Sequence, residues 1–559
     1  MAISNCDQFG NECEKVSLGK KFKIININQT MKTNVIADDG VGDGNNKYQE
    51  KTQLIEIDKL IINSNSSSDE NGLQEVPTKK STRIGVWHQV LMTGAILLLA
   101  CAAGMPIGYS TVILPQLVNH PSDALSMDYE MASWVASIHS LATPIGSLVS
   151  VPIMDTYGRK NTLLLSIMPL LCGWGIIALS HTHVLILVGR VACGIAVGLM
   201  AAPAQILLAE ISQANLRGLL VGIPFVSYSC GILMVYGLGS LLNWRMVAWC
   251  GVMMPIFSFI AIALAPESPN WLARKGYYEK AKKALTWLRD SEEKAHIELK
   301  QTIEHIENEK MNRSHKSQSS VWSVIRQPSV LKPIILINAF NILQILSGTY
   351  LIVFYAVDII TEICNFGDDA TMQISTMQSA VLTALIRLLL TMVYCYLLLK
   401  WKRRNLYLAS CLLSAIASTT LSIFLYLKGD TAKSFNDLVI IGTLMLLYIS
   451  FNTCSMLMPG IMVGELLPLR VRHWSGIIFT AFNLMLFTVT KMFPWLKIVM
   501  KTQGLFLMFG CSSLCAFLLF FWMLPETKNK TLNDIEDYYQ GQNWIWQKRA
   551  RKMSQSDQS

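Results

Sequence analysis

Charged residues are scarce in this chain. Asp, Glu, Lys and Arg make up 15% of its 559 residues, whereas soluble domains carry about 25%. Hydrophobic residues reach 52%, so an ordinary soluble domain is excluded. The chain also lacks the motifs of zinc peptidases, phosphate-binding loops and serine-hydrolase elbows, and most of its cysteines lie inside apolar runs. We therefore expect no enzyme activity, metal site or cofactor, and no disulfide framework is required.

Long apolar runs are what the chain does contain. A helix of roughly 20 apolar residues crosses the hydrocarbon core of a bilayer, and twelve such runs recur. They lie at 89–113, 131–153, 162–180, 184–207, 218–241, 246–265, 331–357, 372–399, 405–427, 438–463, 474–497 and 503–524. The sequence therefore predicts an all-α membrane protein with twelve transmembrane helices.

Three polar segments flank or interrupt these runs. Residues 1–82 are rich in Asn, Ser, Asp and Lys and lack the apolar core of a signal peptide, which predicts a disordered tail. Residues 266–330 include a stretch, 276–312, with helical spacing and mixed charge, which predicts a helical linker at the membrane surface. Residues 527–559 form a second, C-terminal tail.

Basic residues mark the side on which these segments lie. Lys and Arg accumulate in cytoplasmic loops, and here they fill alternate connections, such as Arg159–Lys160 and Arg403–Arg404, while the loops 114–130 and 358–371 contain none. The pattern predicts that both tails and the 266–330 linker are cytoplasmic. The net charge of +9 then reflects topology in a lipid bilayer, and we expect no nucleic-acid partner.

An internal duplication organises the spans. Glu210 and Arg217 at the end of the fourth span are seven residues apart, as are Glu465 and Arg472 at the end of the tenth. "PESPNW" after the sixth span matches "PETKNK" after the twelfth, and "YGRKN" matches "KRRN". The chain is predicted to form two parallel six-helix halves, 83–265 and 331–526.

Acids recur with the arginines at the predicted cytoplasmic ends. Simple enrichment of cations on the inner side is the alternative interpretation, but it does not explain acids at fixed spacing. We predict a salt-bridge network that joins the halves when an inner gate is shut. Its members are Asp155, Arg159, Glu210, Arg217, Glu267, Arg403, Glu465, Arg472 and Glu526.

These motifs resemble the sugar porter family of the major facilitator superfamily. The resemblance covers roughly residues 85–535 and includes "SWVASIHSLATPIGSLVS", "DTYGRK", "EISQANLRG", "PESPNWL", "LQILSG" and "PETKNKTL". The first, second and seventh spans look like the insect facilitated trehalose transporter branch. The resemblance implies the major facilitator fold and a facilitative carrier for a sugar or related solute in the plasma membrane, without cofactor; we expect a monomeric transport unit.

The departures from the family lie where it binds sugar. The second Gln of its seventh-span motif is Ile345, the tenth-span Trp is Gly460, and the eleventh-span Trp is Leu484. Amide and aromatic side chains suit sugar recognition. The resemblance and the residues together give these candidate solute-binding positions: Phe225, Gln344, Ser347, Tyr350, Tyr355, Arg387, Asn452 and Asn483.

Two positions indicate how the protein handles protons and charged solutes. Ser110 stands where proton-coupled relatives carry an Asp, and no Asp or Glu lies at mid-depth in a predicted span, so uniport is favoured over symport. Arg387 lies thirteen residues before Lys400, which marks the inner end of the eighth span, so it lies about 20 Å from the inner membrane surface. Its side chain faces either the solute path, where it would favour anionic solutes, or backbone carbonyls.

Three alternatives remain open at this point. The chain is a facilitative sugar carrier, a carrier of a non-sugar or anionic solute, or a transporter-like sensor without significant flux. The sequence leaves the solute itself open between a hexose, trehalose and a non-sugar.

Overall fold

A computed structural model describes residues 83–118, 125–211, 217–315, 326–364, 373–428, 435–467, 475–528 and 538–539. The predicted N-terminal tail, and the C-terminal tail apart from 527–528 and 538–539, lie outside the described residues. One compact unit comprises 79–275 and 280–559. The other comprises 1–78 and 276–279, of which the described part contains a turn at Gly276 with φ 83°.

The described residues form sixteen α-helices. We call the first six the N-terminal set and the last seven the C-terminal set. The N-terminal set consists of α1 Arg83–Leu117, α2 Tyr129–Tyr157, α3 Arg159–Ala178, α4 His183–Ile211, α5 Arg217–Gly239 and α6 Trp244–Leu264. The linker holds α7 Pro269–Arg274, α8 Tyr278–Arg289 and α9 Glu292–His315. The C-terminal set consists of α10 Pro328–Leu346, α11 Leu351–Phe354, α12 Ala356–Cys364, α13 Gln373–Lys400, α14 Arg403–Lys428, α15 Phe435–Leu466 and α16 Ser475–Met523.

Eleven of the described helices are long and apolar enough to cross a membrane. Ten of them correspond to ten predicted spans. The eleventh, α16, holds the last two predicted spans in 49 residues, and its backbone leaves helical geometry at Lys501, with φ 54° and ψ 174°. The two spans are therefore joined at Lys501 without a separate loop.

The predicted seventh span, 331–357, is interrupted. The helix α10 ends at Leu346, and Gly348 adopts φ 77° before α11 begins. Only glycine populates this conformation readily, and a side chain at 348 would also lie 2.7 Å from the Phe509 ring. The single continuous helix predicted here is wrong, because the Gly348 conformation ends the run of helical residues.

Apolar side chains point outward from the helices. On α6, the exposed residues Trp249, Ile256 and Phe257 lie opposite the buried Val247 and Ala248. A helix that is apolar on all sides suits a lipid environment. Inside the bundle, small residues bring the backbones together, as between α2 and α4, which is typical of membrane helices.

The linker is anchored to the N-terminal set. Arg289, at the end of α8, donates two hydrogen bonds to Glu298 at 2.7 and 2.8 Å and one to the Ile211 carbonyl of α4 at 3.1 Å. The stretch 276–312, predicted to be helical, contains α8 and most of α9, which are separated at Asp290 with φ 52°. Lys282 donates to Glu292 and lowers the pKa of that exposed carboxyl.

The two sets meet along two main seams. The helix α2 packs against α16, and α5 packs against α13. At the end of the bundle where α1 ends, α1 also contacts α11. The lysine and arginine pattern predicts that this end is the outer one. A cavity lies between the seams.

Candidate functional site

A cavity of about 150 Å³ lies between the two sets. Its walls come from α2, α4 and α5 on one side and from α10, the α10–α11 turn, α15 and α16 on the other. The lining residues are Ser147, Ala201, Ala202, Gln205, Phe225, Asn341, Gln344, Tyr350, Met456, Pro459, Gly460, Val463, Gly476, Ile478, Phe479 and Phe482. None of these side chains carries a charge, so this lining suits an uncharged ligand.

Three of the predicted solute-binding residues line this cavity: Phe225, Gln344 and Tyr350. Gln344 is 3% exposed. The Tyr350 ring packs edge-on against Phe482, with centroids 5.5 Å apart. These residues present amide and aromatic groups side by side, the combination that binds a hydroxylated ring.

Three other predicted residues, Ser347, Arg387 and Asn452, instead form hydrogen bonds at the break between α10 and α11. Asn452 on α15 donates to the Ser347 carbonyl at 3.3 Å and accepts from the Ser347 hydroxyl at 3.2 Å. Tyr448 donates to the same carbonyl. Arg387 on α13 donates to the Thr349 carbonyl at 3.1 Å. These side chains donate hydrogen bonds to the carbonyls that have no helical partner because the helix is broken.

The last two predicted residues also bond within the protein and are not among the lining residues. Asn483 donates to the Phe479 carbonyl one turn earlier, at 2.8 Å. Tyr355 donates to the Thr490 carbonyl at 3.2 Å and stacks on Phe493, with centroids 4.3 Å apart. Both side chains are buried, and their polar atoms are used in packing α16.

The sequence interpretation missed several lining residues, above all Ser147, Gln205, Asn341, Phe479 and Phe482. Asn341 had a usable signal, because it lies three residues before Gln344 and thus on the same face of a helix. Gln205 had none, since one polar residue near the end of an apolar span does not indicate which side it faces.

An ion-pair cluster lies at the predicted cytoplasmic end of the N-terminal set. Arg159, at the start of α3, pairs with Glu210 of α4 at 3.2 Å and lies 3.9 Å from the exposed Asp155. Glu267 accepts the backbone N–H groups of Arg159 and Lys160, both at 3.0 Å. A carboxylate there caps the N-terminus of α3, where the helix dipole favours negative charge.

An equivalent cluster lies in the C-terminal set. Arg403, at the start of α14, pairs with Glu465 of α15, and Glu526 accepts the backbone N–H of Arg403 at 3.2 Å. The triads Arg159–Glu210–Glu267 and Arg403–Glu465–Glu526 therefore match residue by residue, about 250 residues apart in the chain.

Each of these ion pairs joins helices of one set. The predicted gate requires ion pairs that bridge the two sets. Arg472 lies outside the described residues, and so does the side chain of Arg217. The pairs of Arg217 with Glu210 and of Arg472 with Glu465 stay predictions.

A buried arginine occupies the centre of the N-terminal set. Arg190 on α4 is fully buried and donates to the Ser110 hydroxyl at 2.7 Å and to the Val135 carbonyl at 3.0 Å. It also donates to the Pro106 carbonyl. Neutral oxygens thus surround this guanidinium, which suits a structural role.

Hydrogen bonds link the sets at the predicted outer end. The Val353 carbonyl of α11 accepts from Thr111 of α1 at 2.5 Å and from Tyr236 of α5 at 2.6 Å. Lys491 of α16 donates to Ser133 of α2 at 2.7 Å and lies 4.3 Å from the Trp134 ring centroid. The sets are therefore in contact on this side of the cavity.

Two apolar helical sets around a shared cavity are typical of membrane transporters. The comparisons with known proteins agree with that class. The sequence profile of the family described as "Sugar (and other) transporter" matches residues 96–539. The chain therefore belongs to this sugar transporter family.

The relatives and the solved structure that this chain resembles are also named as sugar transporters. The chain is 29% identical to facilitated trehalose transporter Tret1 of Apis mellifera ligustica, over 81% of this chain and 88% of the relative. It is 29% identical to Tret1 of Polypedilum vanderplanki, over 86% and 92%. The fold is similar to that of the major facilitator superfamily proton:xylose symporter XylE bound to 6-bromo-6-deoxy-D-glucose, with TM-score 0.64, 18% identity and coverage of 81% and 100%.

Proposed function

We propose that this chain is a facilitative carrier that moves an uncharged sugar or a related polyhydroxylated solute down its gradient. The observation that carries the proposal is the cavity between the two sets, lined by amides and aromatic rings without a charged side chain. Gln344 and Asn341 suit hydroxyl groups, which donate and accept as amides do. The relatives named facilitated trehalose transporters support the same solute class.

Alternating access is the mechanism that we propose. The solute cavity lies where α2 meets α16 and where α5 approaches α15, so a rocking motion of one set against the other would open it to either side in turn. The contacts of Val353 with Thr111 and Tyr236 would then belong to the state that is closed on the outer side. Breaking them would open the outer path.

The polar groups around Arg190 support uniport. Proton-coupled carriers use an ionisable Asp, Glu or His within the membrane, and a carboxylate is the group that would pair with Arg190. Ser110 takes the position beside Arg190, and a serine hydroxyl does not release a proton at physiological pH. We therefore propose transport without proton coupling. This proposal sets the chain apart from the proton symporter whose fold it shares.

We further propose twelve membrane crossings in two six-helix halves, with α16 contributing the last two crossings on either side of Lys501. At about 1.5 Å per residue, a straight helix of this length far exceeds the thickness of a bilayer. Both termini and the α7–α9 linker are cytoplasmic, the membrane is the plasma membrane, and the transport unit is a monomer.

Flux measurements test the function. Purified protein in proteoliposomes should equilibrate tritiated D-glucose or trehalose, and a protonophore should leave the rate unchanged. Accumulation above equilibrium that the protonophore abolishes would overturn uniport. Absence of flux for every uncharged sugar in the panel, with retained folding, would overturn the carrier function and favour a sensor.

Epitope tags test the topology. Tags at residues 20 and 545 should be reached by antibody only after the cells are permeabilised, because both tails are proposed to be cytoplasmic. Labelling of either tag on intact cells would contradict the proposed orientation.

A further inference from the structure

Two amide side chains that line the cavity, Asn341 and Gln205, have no hydrogen bond among the described residues. Asn341 on α10 is buried, with 5% of its surface exposed, whereas Gln205 on α4 is an exposed residue that lines the same cavity. Asn338, one turn earlier on α10, donates to the Ile334 carbonyl at 2.9 Å, has a buried Oδ1 without a partner, and does not line the cavity.

A buried amide without a partner costs free energy unless a ligand or water satisfies it. Asn341 and Gln344 lie three residues apart and both face the cavity, so their amides lie on one wall. Gln205 belongs to the other set of helices. Phe479 and Phe482 of α16 add apolar surface to the lining of the same cavity.

We infer that Asn341 and Gln205 are specificity-determining residues that each hydrogen-bond a hydroxyl of the transported solute. The ring of the solute then packs on Phe479 and Phe482. Because Asn341 and Gln205 belong to different sets, a solute with two hydroxyls at the right separation links the sets through hydrogen bonds. A solute that lacks the hydroxyl facing Asn341 leaves a buried amide unpaired, and one that lacks the hydroxyl facing Gln205 loses that hydrogen bond. This inference rests on the proposed transport of an uncharged polyhydroxylated solute.

Variants paired with deoxy sugars test the inference. The sugar that the wild-type protein transports, D-glucose or trehalose, is first identified in proteoliposomes. Half-saturation constants are then measured for that sugar and for its monodeoxy analogues, with wild type, Asn341→Leu and Gln205→Leu. Asn338→Leu is the matched control, because its amide lies on the same helix outside the cavity.

For the parent sugar, Asn341→Leu and Gln205→Leu should each raise the half-saturation constant about tenfold, as the loss of one hydrogen bond to a ligand predicts. For each variant, there should be one deoxy analogue for which the half-saturation constants of wild type and variant agree within about twofold. That analogue lacks the hydroxyl that the mutated residue binds, so neither protein forms the hydrogen bond with it. The two variants should select different deoxy positions. Asn338→Leu should behave as wild type toward every sugar.

The outcomes separate the inference from the proposed function. If wild type transports a sugar and both Leu variants resemble Asn338→Leu, the inference is wrong while the carrier function stands. If wild type transports no sugar, the proposed function itself fails. If Asn341→Leu does not fold, Asn341→Asp replaces it, because aspartate has nearly the same size as asparagine but no amide donors. The inference is overturned if this variant has the same half-saturation constants as wild type for the parent sugar and for all of its deoxy analogues.

Discussion

The Phe225 ring of α5 lies against the backbone of α15 at Gly460. A Cβ atom at position 460 would collide with Phe225 Cζ, so these two residues from different sets fit only because one of them has no side chain. Both line the cavity. Their contact therefore brings α5 and α15 together at the wall of the cavity.

Gly460→Ala should displace the Phe225 ring and impair transport, and Phe225→Leu combined with Gly460→Ala should recover part of the loss. We expect a coupling free energy of about 1 kcal/mol in the double-mutant cycle, measured from transport rates in proteoliposomes. Gly442→Ala is the control on the same helix, because a Cβ there has no neighbour within 4 Å. Additive effects of the two changes would show that the contact does not matter for transport.

Gly198→Ala should destabilise the protein, because a Cβ at 198 would collide with the Thr143 carbonyl oxygen of α2. Backbone atoms do not move aside as side chains do, so we expect a loss of about 1–3 kcal/mol. The measurement is the apparent unfolding temperature in detergent. Gly175→Ala on α3, where a Cβ has no neighbour within 4 Å, should leave that temperature unchanged or raise it. Equal effects of the two substitutions would refute the close packing of α2 and α4.

Glu267→Gln should weaken the N-terminus of α3. The carboxylate accepts two backbone N–H groups there, and a neutral amide loses the favourable interaction with the helix dipole, worth about 1 kcal/mol. Glu526→Gln should act in the same direction on α14. Asp155→Asn is the control, because Asp155 is 67% exposed and 3.9 Å from Arg159. A drop in unfolding temperature for Asp155→Asn as large as that for Glu267→Gln would contradict this ranking.

Arg387→Met should lower the stability and the maximal transport rate without changing the order in which sugars are preferred. The guanidinium donates to the Thr349 carbonyl and is not among the cavity-lining residues, so its removal loosens the α10–α11 break. Arg387→Lys keeps a charged donor and should retain part of the rate. A shift toward neutral sugars in either variant, at normal stability, would instead place the arginine in the solute path.

The sequence predicted most of the fold, because length and apolar content decide where a chain crosses a membrane. Hydropathy averages over many residues, however, and so it did not reveal that Gly348 interrupts the seventh span or that Lys501 joins the last two spans without a loop. Both features depend on the backbone angles of one residue. The position of "SGT" among apolar residues indicated at most a local weakness in the helix.

The site was harder to predict for a physical reason. Arg387, Asn452 and Ser347 are polar residues in apolar spans, and the sequence does not distinguish a side chain that binds solute from one that satisfies a broken helix. The structure makes that distinction for this network. The repeated acids Glu267 and Glu526 were easier, since their positions after the sixth and twelfth spans reveal equivalent roles.

The matched triads Arg159–Glu210–Glu267 and Arg403–Glu465–Glu526 also bear on the response to salt. Each triad closes within one set of helices, so sliding one set past the other separates none of these charges. The work of such a motion then falls on apolar surfaces, on hydrogen bonds such as those at Val353 and on the contact of Lys491 with the neutral Ser133 hydroxyl and Trp134 ring. Dissolved ions screen exposed charges but leave apolar contacts nearly unaffected at moderate concentration. Turnover governed by this motion should therefore vary little between low and physiological ionic strength.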